Sequence, residues 1–547
     1  KTRCNPAMRI YVLLALASVS AALPVRVAPR GGGSAGRKAA AGWPAPSPSI
    51  SFNDVNILQL TDVHSWLSGH QHEKGMGADY ADVLSFYQHL KAMADLQGKD
   101  LWFFNSGDIV EGTGLSDATK APGQLITPII STMPYDAITC GNHELYHNET
   151  IFNMQQSGFI ASWKGRYLTG NIHDSSTGDF LGSNYLVLTG THGKRLLVFG
   201  FLYNMLEHCG AVTVTMIQDV VQEAWFRSAL SKEGNTTHAI VLLAHMDVAD
   251  PLTEVLRKAI RAVQPYTPVV FLTGHTHYRG YNEPDARCVS MESGKFLDTV
   301  GLLQFDLPYE DKLPVHFNHT FVTPNVDTFM QLTATSAKTF TTPEAQVMKA
   351  SIAKVRLQLG LDETVGCSPM DFHPDAPLNS SDSLWRLFMD KVLPQELYEK
   401  SKVSTSVFVG HTGSLRYSMF AGKVTIDDTY IVSPFHDTFT IAHDIPGNIL
   451  ATALKHVAAT PLDPSHDRSS VTLGYLPVWV SSLTPDQIDS SLSYDVVCVS
   501  FDTPFAEEKL REAGAKDASF TAFREGDSDD RNVWERFVRD SWPCKKQ

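Results

Sequence analysis

The amino-acid sequence predicts an α/β protein with a large α/β domain, a connector helix and a smaller mixed α+β domain. Three observations support this fold class. The 547 residues exceed one ordinary core, since a domain averages about 150 residues. In the first half of the chain, short apolar runs rich in β-branched and aromatic residues alternate with helical patterns, which is typical of parallel sheets. The hydrophobic content of 43% and the charged content of 19% describe a globular protein.

The first fifty residues predict a leader and a linker. From Met8, a basic residue and the apolar run 10–19 precede small residues at 20–22, so we expect a secretory signal peptide within residues 1–22. The apolar run is too short to span a membrane comfortably. Residues 23–50 are rich in Gly, Ala, Ser and Pro and predict a flexible linker. We expect the large domain at 51–335, the connector helix region at 336–360 and the smaller domain at 361–547.

Other features favour a secreted or lumenal protein. The chain has acceptor triplets for N-glycosylation at Asn148, Asn235, Asn318 and Asn379. No run after the leader approaches membrane-span length, and residues 541–547 lack an apolar tail, so we expect no stable membrane anchor. The six cysteines beyond the leader could form disulfides in 15 ways, and the sequence does not choose among them.

The net charge of the chain indicates which kinds of binding partner to expect. A formal net charge of −14 argues against a nucleic-acid polymer, which usually requires a basic patch. A small anionic substrate would instead need local positive charge. Bound metal ions could supply it, and the 21 histidines of the chain make such ions plausible.

Periodicity places the main elements. Buried parallel strands are predicted at 55–61, 101–106, 239–244 and 268–273, and further strands at 195–201 and 296–307. Helical spacing of apolar residues predicts helices at 79–96 and 220–230. Pro343 suits the first turn of a connector helix that ends near Gly360. In the smaller domain we expect short strands at 403–409 and 429–432.

Chemically functional side chains follow the predicted strands of the large domain and the apolar, β-prone run 136–140. They lie in five fragments, which are Asp62-Val-His64, Gly107-Asp108, Gly141-Asn142-His143-Glu144, His245 and Gly274-His275-Thr-His277. Ligands of α/β sheets collect outside the carboxyl ends of the strands. We therefore expect these side chains to meet at one rim of the domain.

The residue types in these fragments match a pair of divalent metal ions, which requires oxygen and nitrogen ligands and one shared carboxylate. Our hypothesis is that one ion is held by Asp62, His64 and His277, the other by Asn142, His245 and His275, and that Asp108 bridges them. Such ligands accept zinc, manganese or iron, and the sequence does not decide between them.

The five fragments in this order resemble the calcineurin-like metallophosphoesterases over about residues 55–280. The resemblance implies a two-sheet α/β sandwich as the catalytic domain. Residues 363–366, 413–416, 421–427 and 432–435 resemble the C-terminal substrate-binding domain of the 5'-nucleotidases. In that family the second domain grips the nucleoside, the first cleaves the phosphate, and a hinge rotation brings them together.

The resemblance also implies roles for individual residues. His143 matches the histidine that stabilises the transition state without binding metal. Arg416 matches an arginine that contacts the substrate, and Phe435 matches an aromatic that stacks on the base. An arginine fork suits a phosphate and a ring face holds a base, so the chemistry agrees.

Two positions depart from the family pattern. Tyr146 stands where the family has an aspartate that orients the histidine. A Gly-Gly-Asp-Gly-Phe loop near the C-terminus, whose aromatic completes the base sandwich, is replaced by the stretch from Phe501 to Glu508, in which Phe505 is our candidate substitute.

The leading hypothesis is a secreted 5'-nucleotidase with two divalent metal ions, which releases phosphate from nucleoside monophosphates by attack of metal-bound hydroxide. One alternative is a phosphodiesterase, UDP-sugar hydrolase or non-nucleotide phosphoesterase that uses the same metal site. Another is a catalytically decayed nucleotide-binding protein, although such a binder has no need of all seven ligands. The oligomeric state stays open.

Overall fold

The computed structural model describes residues 50–310, 313–399, 402–460, 477–523 and 529–545. The predicted signal peptide and the predicted linker up to residue 49 lie outside the described residues. Within these ranges, no helix combines the length and the apolar character that crossing a membrane requires.

Two six-stranded sheets form the centre of the first part of the chain. Its strands are β1 (Val55–Leu60), β2 (Asp100–Asn105), β3 (Ala137–Thr139), β4 (Tyr167–Leu168), β5 (Ile172–Asp174), β6 (Tyr185–Thr189), β7 (Arg195–Leu202), β8 (Val212–Val214), β9 (Ala239–His245), β10 (Val269–Thr273), β11 (Arg279–Asp285), β12 (Cys288–Ser293), β13 (Val300–Phe305) and β14 (Phe317–Val322). The first sheet has the order β14-β13-β1-β2-β3-β4, and the second has the order β11-β12-β10-β9-β7-β6. The predicted strands at 55–61, 101–106, 239–244 and 268–273 are confirmed as β1, β2, β9 and β10, with β1 parallel to β2 and β9 parallel to β10.

The side chains of β1 alternate between two apolar cores, as the twofold periodicity of a strand requires. Val55 and Ile57 lie in the core between the two sheets, whereas Leu58 and Leu60 lie in the core beneath the helices of the outer face. The second sheet is covered by helices on its own outer face. The expected two-sheet α/β sandwich is therefore confirmed.

Helices cover both outer faces of this sandwich. They are α1 (Tyr80–Leu96), α2 (Gly114–Asp117), α3 (Thr127–Ile130), α4 (Asn148–Gln156), α5 (Phe159–Ser162), α6 (Ile217–Val220), α7 (Ala224–Glu233), α8 (Pro251–Val263), α9 (Val326–Thr333) and α10 (Pro343–Leu359). The predicted helix at 220–230 is wrong in its bounds, because the chain turns at residues 221–223 between α6 and α7. The connector helix α10 begins at Pro343 after the cap Thr342. It ends at Leu359, and the following Gly360 caps it with a φ of 66°.

The second part of the chain is a mixed α+β domain around a five-stranded sheet. Its elements are β15 (Thr364–Ser368), α11 (Leu384–Leu387), α12 (Leu393–Glu396), β16 (Ser406–His411), β17 (Gly422–Thr425), α13 (Ile426–Val432), β18 (Phe439–Pro446), α14 (Gly447–Ala458), β19 (Trp479–Ser481), β20 (Ser493–Val499), α15 (Thr503–Glu512), β21 (Thr521–Ala522) and α16 (Asp530–Ser541). The sheet has the order β19-β16-β20-β18-β21. A disulfide joins Cys367 of β15 to Cys544 beyond α16, which selects one pair among the cysteines.

Two predicted strands of the smaller domain differ from the structure. The expected strand at 429–432 is wrong, because these residues are the end of helix α13. Thr425 and Asp428 form a capping box that starts a helix before the β-branched residues, and this cap outweighs their strand propensity. The strand expected at 403–409 is displaced to Ser406–His411, since residues 403–405 form a short 3₁₀ turn.

Polar contacts join the two parts of the chain. Nε2 of His72 lies 2.8 Å from Oδ1 of Asp428, and the hydroxyl of Tyr417 lies 2.8 Å from Nδ1 of His70. His72 also stacks on Phe420. The loop that follows β1 is thereby tied to the second domain.

Candidate active site

The structure brings all seven candidate metal ligands together at the carboxyl ends of β1, β2, β3, β9 and β10. The strands belong to two sheets, whose ends are linked because Gln59 donates to the carbonyl of Thr273 at 2.7 Å and Ser106 donates to that of Leu272 at 2.9 Å. The expected rim is therefore an edge shared by both layers of the sandwich.

The ligand atoms form two groups. In the first, Nε2 of His277 lies 3.1 Å from Nε2 of His64 and 3.3 Å from Oδ1 of Asp62. In the second, Nε2 of His245 lies 3.1 Å from Oδ1 of Asn142, and the rings of His245 and His275 have centroids 5.3 Å apart. Each group is compact enough to surround one cation.

Asp108 belongs to both groups. Its Oδ2 lies 3.0 Å from Nε2 of His245 in the second group and 3.6 Å from Nε2 of His64 in the first. Its Oδ1 accepts a hydrogen bond from the backbone N–H of His143 at 2.9 Å. One oxygen is thus anchored by the backbone while the other faces both groups.

Backbone carbonyls orient the histidines of the cluster. Nδ1 of His64 lies 2.6 Å from the carbonyl oxygen of Glu111, and Nδ1 of His245 lies 2.7 Å from that of Ser106. Such contacts fix the tautomer that leaves Nε2 for a metal ion. Both histidines therefore have the backbone carbonyl contact at Nδ1 that metal-ligating histidines usually have.

The loops that carry the ligands are conformationally strained. Positive φ angles occur at Asp62 (49°), His64 (45°), Asp108 (54°), His275 (80°) and His277 (62°). Each such non-glycine conformation costs of order 1–3 kcal/mol and persists where the surrounding structure enforces it, which is typical of functional sites.

Gly141 is needed for the close approach of two loops rather than for an unusual backbone conformation. It does not have a positive φ; instead, a Cβ at this position would lie 2.1 Å from Oδ1 of Asp108. Glu144 holds the same loop, because its carboxylate accepts hydrogen bonds from the backbone N–H groups of Gly141 at 2.7 Å and Ile109 at 2.7 Å. Glycine is required here for close packing of two loops.

The protonation states suit metal binding. Burial lowers the pKa values of His64 and His275 well below the usual range, so both imidazoles are neutral. Burial would raise the pKa of Asp108, but His245 and His143 hold it well below its usual value. Burial opposes protonation of His245, but the negative charges of Asp108 and Asp62 raise its pKa to about 9. A metal ion that binds His245 must therefore displace a proton from its ring. Ionised carboxylate and imidazole nitrogen are a donor set that fits divalent cations.

A cavity of about 650 Å³ opens beside this cluster, between the two domains. His143 lines it from the first domain, and Arg416 and Phe435 line it from the second. The ring of Phe435 stacks near that of His143, with centroids 6.0 Å apart, and the guanidinium carbon of Arg416 lies 5.5 Å from the centre of the Phe435 ring. Three residues predicted to act on the substrate are thus brought together.

Phe505 does not join them. It stacks on Trp479 with centroids 3.6 Å apart and packs against the core of the second domain. Phe501 lines the cavity instead, and its ring contacts that of Tyr146 edge-on at 5.9 Å. Both phenylalanines stand in the stretch that replaces the glycine loop, but their sequence context does not tell which one faces the cavity.

Glu111 is a residue that the sequence analysis missed. Its Oε2 lies 2.6 Å from Nδ1 of His143, and its Oε1 lies 3.1 Å from Nε2 of His147. Burial would raise the pKa of Glu111, but the hydrogen bonds of these two histidines lower it to about 2. The sequence offered one indication of this role, because Glu111 follows the candidate ligand Asp108 by three residues in the same loop.

Comparison with known proteins gives two family matches and several relatives. The family model for calcineurin-like phosphoesterases matches residues 55–279, and that for the NAD nucleotidase C-terminal domain matches residues 372–501. The crystal structure of a 5'-nucleotidase from Candida albicans is 25% identical, covers 90% of this chain and 99% of that chain, and gives a TM-score of 0.81. An uncharacterized protein of Schizosaccharomyces pombe is 28% identical over 425 residues, covering 72% of this chain and 70% of its own length. A secreted protein of Arthroderma benhamiae is 26% identical over 513 residues, covering 86% of this chain and 74% of its own length.

The fold, the ligand cluster and these matches define the class of protein. The chain is a metal-dependent phosphoester hydrolase whose first domain is a calcineurin-like phosphoesterase domain. Within that class, it has the two-domain architecture of the 5'-nucleotidases, with a C-terminal domain of the NAD nucleotidase type. The family resemblance and the class of enzyme predicted from the sequence are both confirmed.

Proposed function

We propose that this protein is a 5'-nucleotidase that holds two divalent metal ions and releases phosphate from nucleoside monophosphates. The observation that carries the proposal is the position of Asp108, whose Oδ2 lies 3.0 Å from His245 and 3.6 Å from His64, one histidine from each ligand group. The likeness to the 5'-nucleotidase of Candida albicans over 90% of the chain supports the same substrate class.

The proposed ligands keep the assignment given by the sequence. Asp62, His64 and His277 would hold one ion, Asn142, His245 and His275 would hold the other, and Asp108 would be shared by both. When bound, such a pair supplies positive charge to the phosphoryl group and lowers the pKa of water. The donor set suits zinc, manganese or iron.

His143 is the proposed catalytic side chain. It lines the cavity beside the ligand cluster, and Glu111 engages its Nδ1, so its Nε2 is the ring nitrogen that can face a substrate. From that position Nε2 donates a hydrogen bond to charge that develops on the phosphate or on the leaving oxygen.

The second domain supplies the proposed nucleoside site. Arg416 provides a guanidinium for the phosphate, and Phe435 offers a ring face to the base. We assign the second aromatic contact to Phe501 rather than to Phe505, because Phe501 lines the cavity and Phe505 packs on Trp479.

A second candidate activity is cleavage of the phosphoanhydride of a dinucleotide or nucleotide sugar. The match of residues 372–501 to the NAD nucleotidase C-terminal domain favours it, and the cavity of about 650 Å³ offers space. Both activities would use the same metal ligands, and the second domain would select between the substrates.

A secreted or lumenal location is part of the proposal. The signal peptide predicted from Met8, the disulfide between Cys367 and Cys544 and the secreted relative from Arthroderma benhamiae support it. Exposed Asn148, Asn235, Asn318 and Asn379 are compatible with glycosylation. N-terminal sequencing of protein collected from the culture medium tests this location, and an N-terminus upstream of residue 20 contradicts it.

Chromatographic analysis of the products formed by purified, metal-loaded protein tests the substrate class. A phosphomonoester releases phosphate, cyclic AMP gives AMP, and cleavage of the phosphoanhydride of NAD or UDP-glucose gives two phosphomonoesters. The rates are measured over the same range of concentrations for five substrates, which are AMP, cyclic AMP, UDP-glucose, NAD and 4-nitrophenyl phosphate. We expect AMP to give the highest kcat/KM. Activity on the aryl ester alone contradicts the nucleotide substrate, and a preference for NAD or UDP-glucose selects the second candidate.

A further inference from the structure

We propose that Glu111 is a positioning residue for His143, which fixes the imidazole ring so that Nε2 faces the substrate cavity. This inference rests on the proposed role of His143 in phosphoester hydrolysis. Tyr146 stands where the similar family has an aspartate that orients the histidine. Glu111 supplies a carboxylate to the histidine from a different position in the chain.

The contacts of the Glu111 carboxylate are specific. Oε2 lies 2.6 Å from Nδ1 of His143, and Oε1 lies 3.1 Å from Nε2 of His147. The Glu111 side chain is only 5% exposed, whereas that of His147 is 47% exposed. A charge-assisted hydrogen bond is strong in such a buried place, so His147 braces the carboxylate on the solvent side while the carboxylate holds His143.

The backbone of Glu111 is fixed as firmly as its side chain. Its N–H donates to the hydroxyl of Ser116 at 3.1 Å, and its carbonyl oxygen lies 2.6 Å from Nδ1 of His64. The residue has a φ of 57°, a conformation that non-glycine residues adopt rarely. This strained turn directs the carbonyl to a metal-ligand histidine and the carboxylate to His143.

Tyr146 has a separate task in this arrangement. Its hydroxyl accepts a hydrogen bond from Nδ2 of Asn142 at 3.0 Å, which turns the amide oxygen towards His245. The Tyr146 ring meets the His143 ring edge-on at 5.2 Å. The phenol of Tyr146 thus orients the amide of Asn142. The imidazole of His143 is oriented instead by Glu111, which lies on the neighbouring loop.

The test compares four metal-loaded proteins, which are the wild type, Glu111→Ala, Glu111→Gln and Asp117→Asn. Asp117 is a matched control because it is a buried carboxylate at the end of the neighbouring helix α2, and it accepts from the N–H of Gly112 at 2.7 Å. For each protein, kcat and KM with AMP, bound metal, thermal midpoint and the crystal structure are measured.

We expect Glu111→Ala to lower kcat by about 100-fold with KM and bound metal unchanged, because misplacing a catalytic group by about 1 Å has an effect of that size. We expect Glu111→Gln to keep more activity, since its amide oxygen still accepts from Nδ1. Asp117→Asn should match the wild type, and the His143 ring should be turned only in Glu111→Ala.

Two results overturn the inference. One is a Glu111→Ala protein with the wild-type kcat and ring orientation. The other is a loss of kcat that is proportional to a loss of bound metal, because Glu111 then serves only the metal loop. If the wild type releases no phosphate from AMP, the proposed function fails, while the ring orientation in the crystal structures still decides this inference.

Discussion

At the residue scale, the two carboxylate oxygens of Asp108 have different partners. Oδ1 accepts from the backbone of His143, and Oδ2 faces both ligand groups. An asparagine would keep the shape but would present a neutral amide in place of the charge. We therefore expect Asp108→Asn to reduce bound metal, measured by elemental analysis, and to lower kcat by about 10³-fold, the scale for losing one such electrostatic contact.

Asp136→Asn is the control for that variant. Asp136 is a half-buried carboxylate whose Oδ2 accepts from the backbone N–H of Phe103, and it does not belong to the ligand cluster. Metal content equal to the wild type in both variants would contradict the shared position of Asp108.

Gly141 offers a second test at the residue scale. An alanine Cβ would lie 2.1 Å from Oδ1 of Asp108, so the two loops must move apart. We expect Gly141→Ala to lower the free energy of unfolding by about 1–3 kcal/mol, the usual range for overpacking, and to reduce bound metal. Urea denaturation and elemental analysis measure these effects.

Gly75→Ala is its matched control, because a Cβ at Gly75 meets no atom within 4 Å. We expect this variant to keep the stability and metal content of the wild type. A Gly141→Ala protein that behaves like Gly75→Ala would show that the close approach of the two loops is not needed.

At the scale of elements, the loop after β1 is joined to α13 by an ion pair that depends on pH. The hydrogen bond to Asp428 raises the pKa of His72 above its usual value, and Glu73 and Asp371 add to the effect while partial burial opposes it. A raised folded pKa gives stability that is fully present below the unfolded pKa of about 6.5 and is lost as pH rises through the folded value.

We therefore expect the wild type to melt above His72→Gln at pH 5.5, with a difference that shrinks towards pH 9. Calorimetry at several pH values measures it. The loss of stacking on Phe420 adds a constant offset, so only the pH-dependent part tests the ion pair. A difference in melting temperature that stays the same from pH 5.5 to pH 9 would contradict a stabilising ion pair between His72 and Asp428.

At the scale of the whole molecule, the Cys367–Cys544 disulfide closes the second domain on itself. The two cysteines are 177 residues apart, so the bond restricts a long loop in the unfolded chain. We expect Cys367→Ser to lower the stability of the second domain by about 2–5 kcal/mol, with phosphate release retained below the lowered melting point.

Cys209→Ser is the control, because Cys209 is a half-buried cysteine that forms no disulfide in the described chain. Urea denaturation followed by near-ultraviolet circular dichroism should resolve the weakened transition in Cys367→Ser alone. An unchanged transition in both variants would contradict the stabilising role of the disulfide.

The arrangement of the two domains also places the substrate-facing residues. Arg416 and Phe435 come from the second domain, yet they lie beside His143 because the cavity runs along the contact between domains. The prediction of Arg416 and Phe435 depended on family motifs, since local periodicity cannot indicate which surface of one domain faces another.

The sequence by itself determined the strands that end in the ligand fragments, because an apolar β-branched run followed by Asp, His or Asn is a local pattern. It also determined the connector helix, whose proline start and glycine end are local signals. The strand predicted at 429–432 was wrong, because a capping box starts a helix there despite the strand propensity of these residues. The sequence also left the disulfide pairing open.

Only the tertiary structure decided which side chains complete the site. Glu111 reaches His143 from another loop, and Phe501 rather than Phe505 lines the cavity. Both facts depend on how separate segments approach each other in space. Residue order specifies the chemistry available at each loop, but contacts between distant loops arise from packing of the folded chain, and these contacts set the orientation of the catalytic groups.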